Sequence, residues 1–268
     1  MQKFIIFTDL DGTLLDHDTY SFAAAEEALS LIKSENIPLI IVTSKTSSEV
    51  FDVQKQLGIS HPFIVENGGA VFFPEEFADL DCSDCEKQNN YFVKTLGAER
   101  EKILGFLEPL KSDLKVRSFV GFSDDELSKL MDMNIEETQK SKKREFSEPF
   151  IFLENEKENF NLLQKKALES GFKILKGGRF YHLIGRSQDK GEAVKIVKSV
   201  YSIKYGRFSK SIGIGDSMND YEMLKQMDIP VLVAKKDGTY ENIHLPGLIK
   251  AGAAGPEGWN KVVLNYIL

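Results

Sequence analysis

The run Phe4-Ile-Ile-Phe-Thr-Asp-Leu-Asp-Gly-Thr-Leu-Leu15 constrains this chain more than any other stretch, because a block of large apolar residues ends abruptly in two carboxylates two positions apart. A short continuous apolar run reads as a strand buried in a parallel sheet, and open α/β sheets bind ligands beyond the carboxyl ends of their strands. Asp9 and Asp11 are therefore expected at the mouth of a site. Like charges this close repel, and burying even one is costly unless a cation or hydrogen bonds compensate it. The spacing thus points to a divalent cation held by oxygen ligands, with Mg2+ the natural candidate. Taken alone, Asp-Leu-Asp-Gly-Thr fits an acidic turn equally well, with Gly12 supplying the bend.

Three later stretches supply the context: Ile40-Ile-Val-Thr-Ser44, Asp189-Lys-Gly191 and Ile212-Gly-Ile-Gly-Asp-Ser-Met-Asn-Asp220, each where a strand should end or a helix begin. This ordered set resembles the haloacid dehalogenase-like superfamily of phosphotransferases. The resemblance implies that Asp9 is a nucleophile that takes the phosphoryl group as an aspartyl-phosphate, and that Asp11 is the general acid/base that protonates the leaving oxygen and then activates water. It further implies that Thr43 and Lys190 bind the transferring oxygens and that Asp216 completes a metal site with Asp9 and the backbone carbonyl of Asp11. Asp220 is implied as a further ligand or as a residue that orients Lys190. Elementary chemistry agrees, since phosphoryl transfer asks little covalent work of the protein and needs positive charge at the transferring oxygens.

At 268 residues the chain suits two lobes. Hydrophobic residues at 42%, charged residues at 28% and a net charge of −7 describe a soluble globular protein with no electrostatic footprint for nucleic acid or an anionic membrane, so the expected partner is a small molecule. No stretch approaches a membrane span and the amino terminus shows no export signal, so the cytoplasm is the expected location. The oligomeric state is left open. Cys82 and Cys85 form one Cys-Ser-Asp-Cys element without a second pair, which is too few ligands for a structural zinc site. They read as incidental thiols in a solvated linker with Asp79, Asp81 and Asp84.

Taken in order, the chain predicts a doubly wound, Rossmann-like parallel-sheet core over residues 1–82 and 187–268, interrupted by an inserted α/β cap over 83–186. Core helices are expected at Ser21 to Glu35, Ser47 to Leu57, Asp189 to Ser202 and Gly258 to Ile267. Thr43 and Ser44 also suit simple helix capping, while Lys45 at a strand-to-helix mouth is a natural anion ligand. Asn67-Gly68 is a turn signal that would present Asn67 to a ligand. The cap reads as extended runs at Tyr91 to Leu96, Lys115 to Phe119, Phe150 to Leu153, Lys173 to Leu175 and Phe180 to Ile184, alternating with helical stretches. Strand alternation would point Arg179 and Tyr181 one way and Phe180 and His182 the other.

Within the superfamily, Thr43-Ser-Lys-Thr46, Phe63-Ile-Val-Glu-Asn-Gly68, Arg144-Glu-Phe-Ser-Glu148, Gly178-Arg-Phe-Tyr181 and Gly255-Pro-Glu-Gly-Trp259 resemble the mannosyl-3-phosphoglycerate phosphatase family over essentially the whole chain. The resemblance implies a magnesium-dependent phosphatase acting on a small phosphorylated glycoside, with Ser44, Lys45, Asn67, Gly68, Arg144, Ser147, Arg179 and His182 binding the substrate. A glycerate carboxylate beside a phosphate needs extra cationic ligands, which Lys45, Arg144 and Arg179 would supply. The glucosyl analogue, another sugar phosphate, and a phosphomutase of the same architecture stay open, as does an inactive sugar-phosphate sensor.

Overall fold

The computed structural model describes residues 4–78, 84–206 and 208–268. The chain lays down β1 (Phe4–Thr8), α1 (Glu26–Ser34), β2 (Leu39–Val42), α2 (Ser47–Leu57), β3 (Phe63–Val65), β4 (Ala70–Pro74), β5 (Glu86–Gln88) and β6 (Tyr91–Thr95). There follow α3 (Arg100–Leu107), β7 (Val116–Ser118), α4 (Asp124–Met131), α5 (Ile135–Lys142), β8 (Ser147–Phe152), α6 (Glu156–Glu169), β9 (Phe172–Lys176) and β10 (Tyr181–Gly185). The return comprises α7 (Lys190–Tyr205), β11 (Lys210–Gly215), α8 (Tyr221–Leu224), β12 (Ile229–Ala234), β13 (Ile249–Ala254) and α9 (Gly255–Ile267).

Two sheets result: a core sheet in the order β13-β12-β11-β1-β2-β3-β4-β6-β5 and a cap sheet in the order β7-β8-β10-β9. From β13 to β3 the core pairs are parallel, and β4, β6 and β5 continue antiparallel. The cap sheet is antiparallel throughout. Alternation along β1 sorts its apolar side chains between two layers, because successive side chains of a strand point to opposite faces. Ile6 joins Val50 and Trp259 from α2 and α9, whereas Ile5 and Phe7 join Val194, Val197 and Tyr201 from α7. In the cap, α3 and α6 cover one face of the sheet, where Ile103, Leu107 and Leu163 pack against Phe150 and Leu183. A smaller cluster of Phe119, Phe122, Leu127, Met131 and Phe180 lies apart from that layer.

Two expectations are corrected and one strand is added. The run Tyr91 to Leu96, read as an extended stretch of the cap, instead forms β6 (Tyr91–Thr95), which pairs with β4 and brings β5 with it into the core sheet, so the core sheet extends past residue 82. Tyr91 explains the choice, since its ring packs on Phe51 and Phe63 at centroid distances of 5.1 and 5.6 Å, inside the core aromatic cluster. The strand β13 had no signal, being mostly Ala and Gly after Ile249. Cys85 is disulfide-bonded and so is not an incidental thiol, while Cys82, Asp79 and Asp81 lie outside the described residues.

Candidate active site

The carboxyl end of β1 delivers Asp9, whose N–H donates to the Ile214 carbonyl at 2.9 Å, so strands β1 and β11 fix its backbone together. Gly12 turns the chain away with φ +76°, a conformation that disfavours any side chain, and a Cβ there would stand 3.1 Å from Asp216 Oδ2. Two requirements thus coincide at one glycine. Lys190 opens α7 behind an Asp189 cap whose side chain accepts from the Glu192 N–H. Its ammonium, 1% exposed, donates to Asp9 Oδ1 at 2.7 Å and to Asp220 Oδ1 at 2.6 Å. The second oxygen of Asp220 accepts from the N–H groups of Asp216 and Ser217 at 3.1 and 3.2 Å, so Asp220 shapes the loop that carries Asp216.

Asp9, Asp216 and Asp220 bring ligand oxygens within 4.8 Å of one another. Burial raises the Asp9 carboxyl well above its usual range; Lys190 opposes the rise, and Asp220 and Asp216 add to it. Burial and then Asp220 push Asp216 up to about 7. Burial opposes charge on Lys190 as well, but Asp220 and Asp9 outweigh it and hold the ammonium above the ordinary lysine range. Three carboxylates facing one ammonium leave two negative charges uncompensated, and the donors are all hard oxygens. That donor set fits a divalent cation such as Mg2+.

Asp11 stands on the cavity side of this cluster. Its Oδ2 pairs with Lys45 Nζ at 3.1 Å, and its Oδ1 is buried without a hydrogen-bond partner among the described residues. Lys45 also meets Glu49 at 3.4 Å and lies 4.9 Å above the Tyr20 ring. Burial works against its charge, but Asp11 and Glu49 hold it cationic. Glu49 is itself the third residue of a capping box with Thr46, whose hydroxyl additionally donates to the Lys140 carbonyl of the cap.

A cavity of about 920 Å³ is lined by Asp9, Asp11, Ser44, Lys45 and Asp216 from the core and by Arg144, Arg179, Phe180 and His182 from the cap. Arg144 is buried; its Nη1 donates to the Ser44 carbonyl and to Ser147 Oγ, both at 3.0 Å, while its Nε has no partner among the described residues. Arg179 donates to the Met131 carbonyl at 2.6 Å. Burial, with the charges of Arg144 and Lys190 adding to it, pushes the His182 imidazole down to about 3, so it stays neutral, and its Nδ1 is buried without a partner among the described residues.

The expected opposition of Arg179 and His182 is corrected by the strand boundary. Only His182 lies in β10; Arg179 belongs to the preceding turn, closed by the Gly177 N–H on the Phe180 carbonyl at 2.9 Å, so alternation does not govern it and both residues face the cavity. Thr43, Asn67, Gly68, Ser147, Lys190 and Asp220 stand behind the wall rather than on it. Thr43 Oγ1 accepts from the Lys45 N–H at 3.2 Å, Asn67 Oδ1 accepts from the Asn219 side chain at 3.2 Å, and a Cβ on Gly68 would meet the Asp189 carbonyl oxygen at 2.1 Å. Their contacts brace the loops of Lys45, Asp216 and Lys190.

Other contributors escaped the sequence reading. Glu49 had a readable signature, the Thr-x-x-Glu capping box. Tyr20, at φ +55°, had none. Trp259 is more than packing, because its indole N–H donates to Thr8 Oγ1 at 3.1 Å and that hydroxyl donates to the Asp9 carbonyl at 2.7 Å.

A family model described as haloacid dehalogenase-like hydrolase matches residues 6–242. A glucosyl-3-phosphoglycerate/mannosyl-3-phosphoglycerate phosphatase of Persephonella marina is 47% identical over 263 residues, covering 98% of this chain and 97% of that protein. A protein of the same name from Methanococcoides burtonii is 40% identical over 268 residues, covering 99% and 97%. Among solved structures, Thermoplasma acidophilum 0175 superposes with a TM-score of 0.70 at 21% identity over 100% of both chains. A haloalkanoate-superfamily phosphatase of Bacteroides thetaiotaomicron gives 0.63 at 15% identity over 99% of this chain and 95% of that one. Those two likenesses concern the fold. By the family match and the near-full-length relatives, the chain belongs to the haloacid dehalogenase-like hydrolases, in the family of the glucosyl-3-phosphoglycerate/mannosyl-3-phosphoglycerate phosphatases.

Proposed function

We propose that this chain hydrolyses the phosphate monoester of mannosyl-3-phosphoglycerate and of its glucosyl analogue to the glycosylglycerate and inorganic phosphate. The observation that carries the reading is a single cavity with Asp9 and Asp11 on one wall and Arg144, Arg179 and neutral His182 on the other. Such a site matches a ligand with a reacting phosphate at one end and a carboxylate and sugar at the other. The names of the two relatives support the substrate class.

In this reading Lys190 holds Asp9 Oδ1, and Oδ2 is the oxygen left to attack phosphorus. The new O–P bond forms as the bond from phosphorus to the glycerate oxygen breaks, and Asp11 gives its proton to that leaving oxygen. Asp11 then takes a proton from water, whose oxygen attacks the aspartyl-phosphate, releases inorganic phosphate and restores Asp9. Mg2+, held by Asp9, Asp216 and the backbone carbonyl of Asp11, with Asp220 as the residue that orients Lys190, would offset negative charge on the transferring oxygens.

The test is phosphate release from a panel of glycosyl-3-phosphoglycerates and simple sugar phosphates, with magnesium and after chelation. Selective, magnesium-restored release from the glycosyl-3-phosphoglycerates is expected. Preference for simple sugar phosphates would overturn the substrate, and dependence on a bisphosphate activator with phosphate returned to the sugar would turn the reading to a mutase.

A further inference from the structure

Glu66 takes no part in the chemistry above, yet it is 1% exposed and holds φ at +49°, a left-handed conformation that a long side chain keeps only when its surroundings impose it. Its carboxylate reaches across the boundary between core and cap. Oε1 accepts the Glu145 N–H at 2.8 Å, and Oε2 accepts the Phe146 N–H at 3.1 Å and the Ser147 hydroxyl at 2.5 Å. Ser147 Oγ is the atom to which Arg144 donates, so one chain of hydrogen bonds runs from Glu66 to the cationic wall of the cavity.

The backbone of the same residue ties down two further loops. Its N–H donates to the Lys45 carbonyl at 3.0 Å, and its carbonyl accepts from the Gln188 side chain at 2.6 Å, just before Lys190. The first chain crossing into the cap is held beside it, with the N–H groups of Leu96 and Gly97 donating to the Gly69 carbonyl at 2.9 and 2.8 Å. Packing leaves little slack, since a Cβ on Gly69 would stand 2.5 Å from the Phe146 Cβ.

We infer that Glu66 is a positioning residue for substrate selectivity: by gripping the 145–147 loop it sets Arg144 at a fixed place opposite Asp9. The inference rests on the reading in which Arg144 meets the glycerate carboxylate. A carboxylate is required, because two oxygens face three donors. In Glu66→Gln the amide nitrogen must point at the Glu145 or the Phe146 N–H, and a buried donor facing a donor pushes the loop away.

The experiment compares wild type, Glu66→Gln and Ser147→Ala, the second a small change that keeps the fold. In the substrate-free proteins the amides of Glu145 and Phe146 should exchange faster with solvent in Glu66→Gln than in wild type. For kinetics, the ratio of kcat/KM on mannosyl-3-phosphoglycerate to that on p-nitrophenyl phosphate should fall about tenfold in Glu66→Gln, mainly through KM, as expected for one weakened charge-assisted contact. Ser147→Ala should move the ratio the same way by less, and adding Glu66→Gln to Arg144→Ala should lower it no further. With wild type active on mannosyl-3-phosphoglycerate, an unchanged ratio in both variants, or an equal loss on both substrates, overturns the inference alone. A wild type that hydrolyses only p-nitrophenyl phosphate overturns the functional reading and the inference with it.

Discussion

The two walls of the cavity are built on opposite plans. On the core wall the protein supplies its own cations and clustered carboxylates: Lys190 bridges Asp9 and Asp220, Lys45 bridges Asp11 and Glu49, and Asp220 closes on the backbone of Asp216 and Ser217. These groups stand at or just beyond the ends of the parallel strands β1 and β11 and at the starts of α2 and α7. On the cap wall, polar atoms are held at one end and left open at the other, as Arg144 Nε and His182 Nδ1 show. Arg144 stands on a loop and His182 on β10, in a lining shared with Phe119, Met131 and Phe180. The difference separates two tasks, a preorganised field for phosphoryl transfer and an incomplete set of donors that a ligand completes.

The largest way to break the comparison is Asp9→Asn. It removes the nucleophile and one of the three clustered carboxylates at once, so phosphate release should vanish on every substrate, and residual turnover near wild type would displace Asp9 from its role. Asp11→Asn should be milder, lowering kcat by about 10²- to 10⁴-fold on all substrates alike, the ordinary worth of general acid/base assistance. A loss confined to one substrate would move Asp11 to the selective wall.

Arg144→Ala addresses the other wall. It should lower the preference for a glycosyl-3-phosphoglycerate over p-nitrophenyl phosphate by about one to two powers of ten, from the roughly 1.5 to 3 kcal/mol of a hydrogen bond to a charged group. Arg179→Ala should act in the same sense but by less, because Arg179 is anchored only within the cap whereas Arg144 is also tied to the Ser44 carbonyl of the core. Equal losses on both substrates would assign the arginines to the phosphoryl end. The smallest expected effect is that of Trp259→Phe, which keeps most of the buried ring but removes the bond to Thr8. It should cost about 1 kcal/mol of stability in chemical denaturation, more if the Thr8 hydroxyl is left without a donor.

The core wall was legible because its signals are local. An apolar run that stops at carboxylates, or an aspartate that caps a helix opening with lysine, marks the residues that the fold then gathers. The cap wall was less so. Arg179 and His182 were set on opposite faces by an alternation that holds only within a strand, and β10 begins at Tyr181. Tyr91–Thr95 has the pattern of a cap strand, and only its pairing with β4 and its ring contacts place it in the core. Glu66 was visible in Glu66-Asn-Gly68 as part of a turn, but its carboxylate answers donors about eighty positions away, which no local pattern encodes. Ser147, Asn67 and Gly68 brace the loops around the cavity through contacts that join distant parts of the chain.

The link from Trp259 through Thr8 to the Asp9 carbonyl has an optical consequence. The sequence holds a single tryptophan, so all indole emission from this chain arises from a fully buried ring two hydrogen bonds from the backbone of Asp9. Ultraviolet light near 295 nm, roughly where tyrosine ceases to absorb, therefore interrogates one place only. Changes of charge at Asp9 during a turnover would be written into the wavelength and lifetime of that emission, in the unlabelled wild-type protein.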